Sequence, residues 1–150
     1  MLDIYIDADG CSVKEEVYKV AGRYQLKVLV VANKPLTIPL SNLIIMQVVA
    51  GGFDAADDWI AETISTGDIL VTSDLLLADR CIKRKAKVLG PKGHELHEEN
   101  IGQALAQREL SAHLRNLGNT KTGPAPMEKR DRSQFLATLD QVINAVRRGR

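Results

Sequence analysis

Carboxylates stand in this chain where a hard cation or a transferred phosphoryl group would need them. "YIDADGCS" ends an apolar run in Asp7 and Asp9, and "ILVTSD" ends another in Asp74. Between them "FDAADDW" holds Asp54, Asp57 and Asp58, whose spacing puts all three on one side of a helix's first turns. Carboxylates that converge on one cleft repel one another, and a divalent cation relieves that repulsion. Oxygen ligands of this kind suit Mg²⁺ or Mn²⁺, which keep waters and bind substrate phosphates. A cation so held helps deprotonate water and stabilises the leaving oxygen of a phosphodiester. A plainer reading competes: aspartate is common at strand ends and helix starts because it caps backbone N–H groups and complements the helix dipole. Capping explains Asp54 and Asp57 as well as ligation does, and Asp58 also fits a solvated position. Asp7 and Asp74 favour the functional reading, because both end strands expected to be neighbours.

A second chemistry fits the first motif. An apolar strand followed by Asp-x-Asp-Gly resembles haloacid-dehalogenase-type phosphatases, which would make Asp7 a nucleophile and Asp9 its acid/base partner. Two supporting motifs of that family are missing or misplaced: "VLVVAN" ends without a hydroxyl, and Gly67-Asp68 precedes its strand. Other candidates are weaker. Cys11 lies among carboxylates that disfavour a thiolate. His94 and His97 lack further ligands nearby for zinc. Gly90 and Gly93 make a turn but no phosphate-binding fingerprint.

The elements that position these residues alternate. "LDIYID", "LKVLVVA", "LIIMQVV", "DILVT" and "AKVLG" read as strands, the second and third continuous enough to be covered on both faces. "SVKEEVYKVAGRY", "DAADDWIAETIS" and "LLLADRCIKRK" read as the helices between them. Ser12 and Glu15 fit a capping box for the first, and Asp54 is placed to cap the second. The alternation predicts a three-layer α/β/α fold with a mainly parallel, about five-stranded sheet. Strand order 3-2-1-4-5 would put Asp7 and Asp74 together at the switch point, where such sheets bind ligands. After Gly90 the pattern becomes helical: "NIGQALAQRELSAHLRNLG" with Gly118 as its stop, then the polar loop "NTKTGPAPMEKRDRS", then "QFLATLDQVINAVRR". We read a single domain over 1–150, with a core over about 1–90 and a C-terminal helical extension over about 98–150.

At 150 residues the chain is long enough for one continuous core. Its two cysteines suit a reduced intracellular protein rather than a disulfide framework, and no secretion signal is legible. Lys34, Pro35 and Pro39 interrupt the longest apolar region, which excludes a membrane span there. The net charge of +1 conceals an asymmetry: 6 basic and 12 acidic residues up to Ile82, then 14 basic and 7 acidic from Lys83 onward. Such asymmetry suits a polyanionic partner or merely solvated helix faces. Lys83, Arg84 and Lys85 follow the acidic motifs, Lys129, Arg130 and Arg132 begin the last helix, and Arg108 and Arg115 share a face of the long helix. These residues are placed to hold nucleic-acid phosphates in a salt-sensitive, sequence-independent way. Arg108 and Arg115 serve equally well as docking residues paired with core acids. Tyr5, Phe53, Trp59 and Phe135 read as core, which argues for backbone contact over base readout.

Four ordered blocks, "YIDADGCSVKEEV", "GGFDAADDWIAETISTGDILVTSDLLLADRCI", "ENIGQALAQRELSAHLRNLG" and "GPAPMEKRDRSQFLATLD", together resemble the YaiI/YqxD family of bacterial proteins, related to the PIN-like nuclease superfamily. The likeness covers nearly the whole chain. Gly10 and Ser12 depart from the Ala and Pro usual around the cysteine, while the acidic pattern is intact. The resemblance implies a PIN-like fold whose acidic residues bind divalent metal and cleave RNA or DNA, although the family itself carries no assigned activity. By position, Asp7 and Asp74 match the ligands of strands one and four, Asp57 or Asp58 the helix ligand, and Asp79 a further ligand. The expectation is then a cytoplasmic, metal-dependent nuclease acting on RNA or single-stranded nucleic acid. Asp7, Asp58 and Asp74 would act in catalysis, with Asp9, Asp54 and Ser73 supporting them. A non-catalytic nucleic-acid binder with a vestigial metal site fits the same residues. The sequence leaves the oligomeric state open, a homodimer included.

Overall fold

The computed structural model describes residues 2–9, 11–52, 54–116 and 126–149, with only the backbone described at 115 and 116. In chain order the elements are β1 (Ile4–Asp7), α1 (Lys14–Arg23), β2 (Val28–Ala32), β3 (Ile44–Val48), α2 (Ala55–Thr63), β4 (Ile69–Val71), α3 (Leu75–Lys83), β5 (Lys87–Leu89), β6 (Glu95–Leu96), α4 (Glu98–Asn116) and α5 (Lys129–Arg147). The sheet runs β3-β2-β1-β4-β5-β6, parallel throughout except for the β5–β6 pair. That is the expected order, with a sixth strand added at one edge.

Alternation along the central strands builds two cores. Ile4, Ile6, Val28, Val30, Ile69 and Val71 face α1 and α5, while Tyr5, Leu29, Val31, Leu70 and Val88 face α2, α3 and α4. The two C-terminal helices therefore join opposite layers, α4 packing on α3 and α5 on α1. Phe135, Leu139, Val142 and Ile143 of α5 are buried, so the extension is part of the core and not an appendage.

The structure corrects several local expectations. β2 is buried throughout, but β3 is the edge strand and leaves Ile45 and Val48 exposed. "AKVLG" is not the last strand, because the Gly90–Gly93 turn returns the chain as the short antiparallel β6. A two-residue strand with half-exposed side chains has no periodicity to read. The first helix starts at Lys14 with Val13 at its cap position and no side-chain cap, so Ser12 and Glu15 make no capping box. Buried Val13 anchors that start instead, and Ser12 points to solvent. Asp54 does occupy the cap position of α2, yet its side chain makes no capping bond. Gly10, Phe53, Gly118 and residues 119–125 of the following polar loop lie outside the described residues.

One glycine couples the sheet edge to α5. Gly93 has φ of +88°, and a Cβ there would lie 2.8 Å from backbone atoms of Gln134 and Phe135. Gly93→Ala is therefore expected to lower the urea-unfolding free energy by about 2 kcal/mol or more. Gly102→Ala, in α4 with open space at its Cβ, is expected to raise it by up to about 1 kcal/mol.

Candidate functional site

Parallel pairing sets Ile6 beside Val71, so the next residues, Asp7 and Thr72, meet at the carboxyl ends of β1 and β4. The Thr72 hydroxyl donates to Asp7 Oδ2 at 2.7 Å, and its oxygen accepts the Asp74 N–H at 3.0 Å. Asp7 is only 7 % exposed, so this bond helps meet the cost of burying a carboxylate. Asp74 caps α3: its Oδ1 accepts from the N–H groups of Leu76 and Leu77. Among the described residues no hydrogen bond engages its Oδ2.

These residues open onto a cleft of about 570 Å³ lined by six carboxylates, Asp7, Asp9, Asp54, Asp57, Asp58 and Asp74. Ser73 and Leu76 also line it, as do two guanidiniums, Arg80 and Arg108. The N-termini of α2 and α3 converge there, and their dipoles favour negative charge. Asp9 and Asp54 are exposed at the rim, and Asp57 is half-buried in the first turn of α2. Asp58 is paired with Arg80 at 2.8 Å. Asp79 does not line the cleft; it pairs with Lys83 at 2.9 Å one turn along α3. A larger groove of about 720 Å³ lies at the opposite, amino-terminal ends of the central strands, but none of its described lining residues is a carboxylate. Chemistry, not size, singles out the acidic cleft.

The carboxylates act on one another. Burial pushes the Asp7 carboxyl up, with Asp9 and Asp74 adding to the rise, while the Thr72 hydroxyl and the Asp9 backbone N–H oppose it. Asp57 is pushed up to about 6 by burial first, then by Asp7, Asp74 and Asp54, against the lowering effect of Arg80. Crowded, all-oxygen donors of this kind fit a hard divalent ion. Among the described residues no group of three or more Asp, Glu, His or Cys side chains is arranged so that it could hold a metal ion. Mg²⁺-type sites need none: one or two carboxylates serve, with waters and substrate phosphates completing the shell. On that ground one or two of Asp7, Asp57 and Asp74 fit such an ion with waters completing its shell, and Asp58 stands in the same cleft paired with Arg80.

The basic residues do not gather as their sequence order suggests. Lys83, Arg84 and Lys85 lie at the far end of α3, about 12 Å of helix from Leu75. Lys85 pairs with Glu98, and Arg84 donates to the carbonyls of Ile64 and Glu62. Arg130 pairs with Glu128, and Lys129 is exposed at the start of α5. Arg132 docks α5 on α1 through Glu16 at 2.7 Å and the Ser12 carbonyl at 2.8 Å. Arg108 reaches the cleft and makes no hydrogen bond or ion pair with the described residues; the side chain of Arg115 lies outside them. Tyr5 and Phe135 are core, and Trp59 packs against Tyr5 at a ring separation of 6.2 Å. Cys11 and Cys81 are buried free thiols whose pKa values rise through burial, Cys81 to about 12. His97 pairs with Glu99, and His94 is exposed in the β5–β6 turn. No helix among the described residues is long and apolar enough to cross a membrane.

Sequence reasoning missed Thr72 and Arg80. Thr72 offered a signal, a hydroxyl directly after the apolar run of β4. Arg80 offered one as well, four residues past Leu76 on the helix face that Asp74 opens.

Comparison with known proteins supports a specific kinship. The family described as "Uncharacterized BCR, YaiI/YqxD family" matches residues 5–145. A UPF0178 protein of Rhodospirillum centenum is 54 % identical, with all of both chains covered. Another, of Paramagnetospirillum magneticum, is 50 % identical over 99 % of this chain and 98 % of its own. A third, of Rhizobium meliloti, is 50 % identical over 97 % and 99 % respectively. No solved structure matches the chain significantly.

Asp57 yields a pH prediction. Its folded pKa of about 6 exceeds the ordinary 3.8, so between those values the folded chain binds the extra proton. Stability falls as pH rises through that window, and the penalty is complete above about pH 6. Asp57→Asn removes it. The expected gain in urea-unfolding free energy is about 1 kcal/mol above that window, reduced by solvent screening, and vanishes toward its lower limit.

Proposed function

We propose that this chain, which belongs to the YaiI/YqxD family, is a cytoplasmic metal-dependent phosphodiesterase acting on RNA or single-stranded nucleic acid. The observation that carries the reading is the convergence of Asp7, Asp57 and Asp74 on one cleft at the β1–β4 switch point. Position in the fold agrees with the PIN-like resemblance, which places metal-binding carboxylates at the ends of strands one and four and on the helix between them.

One or two of Asp7, Asp57 and Asp74 would hold Mg²⁺ or Mn²⁺, with waters and substrate phosphate completing the shell. When bound, the ion supplies an activated water and stabilisation of the leaving oxygen of a phosphodiester. The chain's own part is positioning. Thr72 fixes the orientation of the Asp7 carboxylate, and the α3 N-terminus fixes Asp74. Arg108, without another partner among the described residues, is available to a phosphate at the cleft wall. Among the described residues no aromatic side chain lines the cleft, so contact through the sugar-phosphate backbone suits it better than base stacking.

A phosphatase with Asp7 as nucleophile fits less well, because β2 ends in Ala32 with no hydroxyl residue and Gly67-Asp68 precedes β4 instead of following it. A phosphoenzyme trapped on Asp7 with beryllium fluoride would nevertheless reverse the order of the two readings.

Cleavage of mixed RNA and DNA oligonucleotides with Mn²⁺ tests the proposal. Asp7→Asn and Asp74→Asn are each expected to lower the rate by about a hundredfold or more, and Asp79→Asn to leave it unchanged. Equal rates for Asp7→Asn, Asp74→Asn and the unmodified chain would rule the site out. Absence of Mn²⁺ binding with salt-dependent RNA binding intact would favour a non-catalytic binder.

A further inference from the structure

Resting on the phosphodiesterase reading, we propose that Arg80 is a substrate-phosphate ligand held in reserve by Asp58, exchanging that carboxylate for the phosphate when a divalent cation enters the cleft. Among the described residues Arg80 and Arg108 are the only cationic ones lining the cleft, and they come from the packed helices α3 and α4. Arg80 engages Asp58 through Nη1 alone, and the rest of its guanidinium fork makes no hydrogen bond with the described residues. Both partners are about half exposed, at 45 % and 54 %. An exposed pair of this kind contributes little and is readily exchanged. A phosphate can take a guanidinium through two parallel charge-assisted hydrogen bonds, which is the stronger arrangement.

The cleft's composition gives this exchange a direction. Arg80 serves as counter-charge for Asp58, and its charge also acts on Asp57. A divalent cation among Asp7, Asp57 and Asp74 supplies that counter-charge instead, which weakens the hold of the acidic wall on the guanidinium. An ion with few protein ligands draws the others from substrate phosphate, so the phosphate needs a second anchor on the protein. Lys83, Arg84, Lys85 and Arg132 cannot supply it, because none of them lines the cleft. Metal and oligonucleotide should therefore bind with positive coupling, each strengthening the other.

The test uses the full chain, with Mn²⁺ affinity from calorimetry. The affinity for a fluorescein-labelled phosphorothioate oligo-uridylate, chosen to resist cleavage, comes from anisotropy with Mn²⁺ and with EDTA. Arg80→Gln is expected to tighten Mn²⁺ binding by up to about fivefold, since a competing cation is gone. The same variant should weaken oligo-uridylate binding in Mn²⁺ by about tenfold. In an Asp58→Asn background, Arg80→Gln should no longer change Mn²⁺ affinity. Arg80→Lys should return Mn²⁺ affinity to that of the unmodified chain and recover part of the oligo-uridylate affinity. Weaker oligo-uridylate binding without tighter Mn²⁺ binding overturns the exchange, as do unchanged affinities. A fall in both, with a lower melting temperature that Arg80→Lys restores, assigns Arg80 to helix docking and overturns it too. If the unmodified chain takes up no Mn²⁺, the phosphodiesterase reading itself fails and takes this inference with it.

Discussion

The hydrogen bond from Thr72 to Asp7 is the contact on which the rest of the site depends. It joins the ends of two strands far apart in sequence and adjacent only because the chain reverses its strand order between β1 and β4. Without a donor, a carboxylate this covered by protein would be neutral or would loosen the fold around it. With Thr72 in place Asp7 can stay inside the structure. The same hydroxyl then orients the backbone of Asp74, so a single side chain sets the positions of two carboxylates.

Helix α3 carries the charge pattern outward from that point. Asp74 caps its N-terminus at the cleft, Arg80 stands on the cleft wall, and Lys83 lies at its opposite end. The acidic first half and basic second half of the sequence thus do not form one bipolar site. The cations that end and follow α3 are spent on pairs with Asp79 and Glu98 and on the carbonyls of Glu62 and Ile64 at the end of α2. Positive charge at the cleft comes instead from two helices, α3 and α4, each contributing one arginine.

Much of this was legible in the sequence because it follows from local rules. Continuous apolar runs separated by helical periodicity implied a parallel sheet, and the order 3-2-1-4-5, taken as a condition, placed Asp7 and Asp74 on neighbouring strand ends. What was not legible depends on side-chain geometry across the sheet. The capping box at Ser12 failed because buried Val13, not a polar cap, fixes where α1 begins. Asp57 and Asp58 are sequence neighbours, yet one faces the inner carboxylates and the other an arginine of the next helix. Proximity in sequence likewise suggested that Lys83 to Lys85 would reach the acidic site, whereas a helix of nine residues carries them away from it. The short β6 has no period, and only its pairing with Val88 and Leu89 reveals it.

The central claim is that the cleft bounded by Asp7, Asp57 and Asp74 is a divalent-cation site. Anomalous diffraction at the manganese edge, from crystals grown with Mn²⁺, addresses it without reference to activity. The account predicts an anomalous peak within the cleft, bonded to Asp7 or Asp74. Crystals that show Mn²⁺ only elsewhere on the protein, with this cleft filled by water or by Arg80, would contradict it.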